Sequence, residues 1–66
     1  MKLHFDKDAD ALYLKLDESA IIESEEVRPG VVLDFNADDQ VVGIELLGIG
    51  KRIPLDALKE VAVQVA

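Results

Sequence analysis

The residues in this chain with chemistry to offer are mostly carboxylates. Asp6, Asp8 and Asp10 are spaced like the first ligands of a calcium-binding loop, and Asp17 falls at that loop's twelfth position. Ala11 stands where such a loop needs glycine for its sharp turn, and the five residues before Asp6 are too few for an incoming helix. The acidic run therefore reads as a hairpin turn that leads into a strand. His4 is the only histidine, and its place near a terminus is that of a surface side chain. Ser19 and Ser24 have no base close by in sequence and no nucleophile-elbow context. Gly48-Ile49-Gly50 lacks the third glycine and the strand–helix setting of a dinucleotide site. No cofactor is expected.

Asp34 and Glu45 are of more interest, because each interrupts an apolar stretch. Burying a carboxylate is costly unless it is hydrogen-bonded or paired. One reading joins Asp10, Asp34 and Glu45 in an acid pair, an enzyme site or a metal site. The other has Asp34 accepting from turn amides and Glu45 paired with Arg28 or Lys51, since structural ion pairs are common outside active sites.

These carboxylates must be positioned by strands. Val31–Phe35 and Val41–Leu47 are rich in β-branched and aromatic residues and flank the polar cluster Asn36–Gln40. A three-residue loop with Asp39 left-handed closes them into a hairpin in which Phe35 faces Val41 and Asn36 faces Gln40. Carried on without a break, that register sets Leu33 against Gly43 and Val31 against Glu45, and it turns Asp34 and Glu45 to opposite faces. Lys2–Phe5, Ala11–Leu16 and Ala20–Val27 are the other strand candidates. Glu23, Glu25 and Glu26 mark the last of these as an edge or solvated strand. Pro29-Gly30 fits the centre of a type II turn, which favours a bend over a clean tight hairpin. In the tail, Leu55, Leu58, Ala62 and Val65 fall on one helical face behind Pro54, so a C-terminal helix is expected over 53–66. The alternation of Val61, Val63 and Val65 argues for a strand there instead.

The expected fold is thus α+β: an antiparallel meander of four to five strands, β-rich over 1–48, with one C-terminal helix. All 66 residues form one domain. A chain so short buries only about 60% of its unfolded surface. It has no cysteine for a disulfide, and cysteine and histidine are too scarce for a zinc site. Half its residues are hydrophobic, which points to a homo-oligomer, a dimer or higher. The formal net charge of −7 disfavours nucleic acid and suits a basic protein partner. The start has no apolar signal core and no run approaches 18 apolar residues, so a cytoplasmic protein that does not enter a membrane is expected.

As a set, Phe5-Asp6, Asp10-Ala11-Leu12-Tyr13, Val32-Leu33-Asp34-Phe35 and Val42-Gly43-Ile44-Glu45-Leu46 resemble a family of small prokaryotic proteins, domain of unknown function 2283. The resemblance covers about residues 3–48. Phe5 stands where the family pattern has tyrosine, and Asp39 where it has a turn glycine. The resemblance implies a small, mainly β domain with no established activity, and an association with toxin–antitoxin pairs. Three functions follow as expectations. The first is a non-enzymatic interaction module, antitoxin-like, with Glu23, Glu25 and Glu26 as its surface. The second is a small enzyme or ligand site on Asp10, Asp34 and Glu45. The third is a purely structural homo-oligomer.

Overall fold

The computed structural model describes residues 1–66. Five strands form: β1 (Lys2–Asp6), β2 (Ala11–Lys15), β3 (Glu23–Arg28), β4 (Val31–Phe35) and β5 (Val41–Leu47). They make one antiparallel sheet in the order β1-β2-β5-β4-β3. The expected meander is therefore corrected. β2 pairs with β5 rather than β3, and the chain after β2 crosses the end of the sheet to reach the far edge. Three hairpin-connected strands with a fourth beside the last of them make a Greek key. The crossing spans three strand spacings, about 14 Å, within reach of the seven residues 16–22 that connect the two strands.

Local chemistry explains the turns. Asn36 closes the β4–β5 loop, its Oδ1 accepting from the amides of Asp38 and Gln40 at 2.9 and 3.0 Å. Asp39 takes the left-handed conformation expected of it, with φ of 60°. Gly30 has φ of 79°, the value the third residue of a type II turn needs, and an irregularity in β3 beside it absorbs the mismatch with strand twist.

The expected C-terminal helix is absent. The tail forms only two 3₁₀ turns, Ile49–Lys51 and Leu55–Lys59. The second ends at Glu60, whose φ of −128° is not helical. Val61, Val63 and Val65 follow, β-branched residues that lose side-chain freedom in a helix, and the stretch is too short to sustain a helix without a packed stripe. The fold is all-β, a single layer.

The register differs from the uninterrupted one in a way that decides the rest. Phe35 does face Val41, but Asp34 faces Gly43, Leu33 faces Ile44 and Val32 faces Glu45. Val42 is the extra residue of a bulge, and it is the most deeply buried side chain, 1% exposed. A slip of one residue transfers every later side chain to the other face. One face of the sheet becomes apolar, carrying Leu12, Leu14, Leu33, Phe35, Ile44 and Leu46. The other carries Tyr13, Lys15, Ser24, Asp34 and Glu45.

Candidate polar site on the sheet

Asp34 and Glu45 therefore share a face, contrary to the expectation that they point apart. Asp34 sits on β4 between Ser24 of β3 and Gly43 of β5. It is 9% exposed and keeps its carboxylate satisfied by two hydroxyls. Tyr13 Oη donates to Oδ2 at 2.8 Å, and Ser24 Oγ donates to Oδ1 at 2.5 Å. Turn amides, the partners expected from sequence, belong to Asn36 instead.

Tyr13 reaches Asp34 along a diagonal. Its own cross-strand neighbours are His4 on β1 and Glu45 on β5, whereas Asp34 lies one strand beyond β5. The ring passes over Gly43, and this is why glycine stands there. A Cβ on residue 43 would overlap Tyr13 Oη and stand 2.7 Å from Cζ and 3.1 Å from Asp34 Oδ2. Partial burial, then the hydrogen bond to Asp34 and its charge, and lastly the charge of Glu45 push the Tyr13 pKa from 10.0 up to about 12. The phenol is held protonated as a donor.

An open hollow of about 450 Å³ lies beside this network, bordered by His4, Asp6, Tyr13, Lys15, Asp34 and Glu45. Lys15 bonds Glu18 at 2.8 Å on the exposed rim. Glu45 is half-buried in the hollow and makes no ion pair, so the expected pairing with Arg28 or Lys51 does not form.

Asp10 is elsewhere. Its Oδ1 accepts from the Gly50 amide at 2.9 Å, and its carbonyl accepts from the Ile49 amide, so it fastens the first 3₁₀ turn to the β1–β2 loop. Asp6 caps its own turn, accepting from the amides of Asp8 and Ala9. No three histidine or carboxylate side chains come close enough together to hold a metal ion. Of Asp10, Asp34 and Glu45, the fold brings the last two to one hollow and places Asp10 against Gly50.

The network is also ill-suited to nucleophilic catalysis. Both hydroxyl protons are committed to one carboxylate. The single histidine lies on β1 and Ser24 on β3, the opposite edges of the sheet, about 19 Å apart by strand spacing. A serine nucleophile needs an adjacent base, and His4 is too far away to serve. The arrangement instead locks β2, β3 and β4 together across β5.

Sequence reasoning missed Tyr13, Ser24 and Gly43. Tyr13 was legible only as one residue of an alternating strand, and Ser24 as a serine without a base. A signal did exist: Tyr13, Asp34 and Gly43 all fall within the short motifs that carry the family resemblance.

The geometry defines a small single-layer antiparallel β domain whose polar face is fixed by a Tyr–Asp–Ser network. The family model for proteins of unknown function DUF2283 matches residues 2–49, a range that contains all five strands, and the chain belongs to that family. No curated protein and no solved structure matches it. None of its helical segments is long and apolar enough to cross a membrane.

Proposed function

We propose that the protein is a non-enzymatic interaction module that binds a positively charged protein along β3. The observation that supports this reading is the composition and exposure of that edge. Glu23, Glu25 and Glu26 are all exposed on a strand that has only one neighbour, and none has an ion-pair partner within the chain. Glu23 and Glu25 project to the apolar side of the sheet and Glu26 to the polar side, so the edge is acidic on both. Such an edge repels another copy of itself and attracts a basic strand or loop, which gives selectivity as well as faster encounter. An antitoxin-like role, in which a basic toxin is masked, is one form of this function.

The test is retention of proteins from the source cell on the immobilised chain at low and at high salt. A basic protein retained at low salt and released at high salt is expected. Glu23→Lys, Glu25→Lys and Glu26→Lys together should abolish that retention with the fold intact by circular dichroism. Equal retention by the triple variant sinks the proposal.

A further inference from the structure

The apolar face of the sheet has no second layer. Only three apolar residues are buried in the whole chain: Ala11, Val42 and Ile49. Leu12, Leu14, Leu33, Phe35, Ile44 and Leu46, which form the centre of that face, are all left partly exposed. The tail does not complete the cover. Leu58 and Val61 border one apolar hollow with Leu3, Phe5 and Leu12, over the β1–β2 side. Val61, Val63 and Val65 remain 56%, 74% and 92% exposed.

We infer that a second copy of this chain packs on the apolar face, closing a two-layer β-sandwich about a two-fold axis. The area argues for this occupant. The chain exposes 5151 Å² at a mass of 7.2 kDa, whereas a compact monomer of that mass exposes about 4,100 Å². The excess is about 1,000 Å², and a stable dimer of ordinary size buries about 800 Å² on each partner. The shape agrees. The Cα radius of gyration is 12.7 Å, against about 10.8 Å for a globule of this length. Stacked sheets lie about 10 Å apart, the thickness of one shared core.

Charge selects the axis. Glu23 and Glu25 lie on the β3 border of the apolar face. A two-fold across the strands would stack β3 on β3 and set these acids against their own copies. A two-fold along the strands places β3 of one copy toward the β1 side of the other and keeps the acidic rims apart. The edges themselves are poor alternatives, because both β1 and β3 carry exposed charges that resist strand-to-strand extension.

The experiment is sedimentation equilibrium of the wild-type chain from low to high micromolar concentration, joined to thiol labelling of two variants. The chain has no cysteine, so Leu33→Cys and Val32→Cys report separately on the apolar and the polar face. The expected result is a dimer of twice the chain mass in which the Leu33→Cys thiol reacts at least tenfold more slowly than the Val32→Cys thiol. Dilution below the dissociation constant should remove that protection. A folded monomer at all concentrations, or a dimer in which the Leu33→Cys thiol reacts as fast as the Val32→Cys thiol, overturns the inference. Loss of basic-partner binding at β3 would leave these results unchanged, since that edge lies outside the shared core.

Discussion

Gly43→Ala is the sharpest test of the polar network, because one methyl group is aimed at one contact. The new Cβ cannot coexist with the Tyr13 phenol, which must swing away from Asp34. Tyr13 is a stiff ring lying over backbone, so it has no small adjustment that keeps the 2.8 Å bond. Asp34 then stays buried with only Ser24 as donor. Losing a hydrogen bond to a buried charged group costs about 1.5–3 kcal/mol. Replacing a strand glycine returns about 0.5–1 kcal/mol by restricting the unfolded chain. The net expectation is a destabilisation of about 1–2 kcal/mol, or a fall in Tm of about 5–15 °C for a chain this small. Thermal melts followed by circular dichroism, at matched protein concentration, measure it. A second substitution isolates the cause. In a Tyr13→Ala background there is no ring to displace and only the 3.1 Å approach to Asp34 Oδ2 remains, so Gly43→Ala should cost clearly less than in the wild-type chain. If it costs as much there as in the wild-type chain, the close approach of Tyr13 is not why residue 43 is glycine, and the reasoning fails.

Three further outcomes are expected. Tyr13 is the only tyrosine and there is no tryptophan, so tyrosinate absorbance reads its ionisation directly, and the midpoint should lie near 12 rather than 10. The folded phenol holds its proton above the unfolded value, so the stability it contributes is complete below about pH 10 and is lost between about 10 and 12; Tyr13→Phe should show a shallower alkaline loss in chemical denaturation across that window. Asp39→Gly should raise stability by about 0.5–1 kcal/mol, because it relieves a left-handed aspartate at φ of 60°; an unchanged or lower denaturation midpoint would refute this. Melting curves taken in chelator and in excess calcium should coincide within about 2 °C, since the acidic residues of the first turn cap amides rather than converge on an ion; a rise of about 10 °C in calcium would overturn that view.

The sequence by itself determined the local elements. β-Branched and aromatic content on either side of a polar cluster placed β4 and β5 at their observed bounds. Asn36 and Asp39 specified their loop, and Pro29-Gly30 its turn, because these depend on side chains and dihedrals only a few residues apart. The unpaired glutamates of β3 likewise announced an edge strand. Tertiary structure alone decided what those elements do together. The bulge at Val42 is a property of two paired strands, and it alone brings Asp34 to the face of Glu45. Asp34 finds its donors 21 and 10 residues away, on strands whose adjacency comes from the β2–β5 pairing and the crossing to β3. The tail shows the converse. Its apolar spacing was helical, but no packed stripe forms to hold a helix, and a weak local preference yields where packing does not reinforce it.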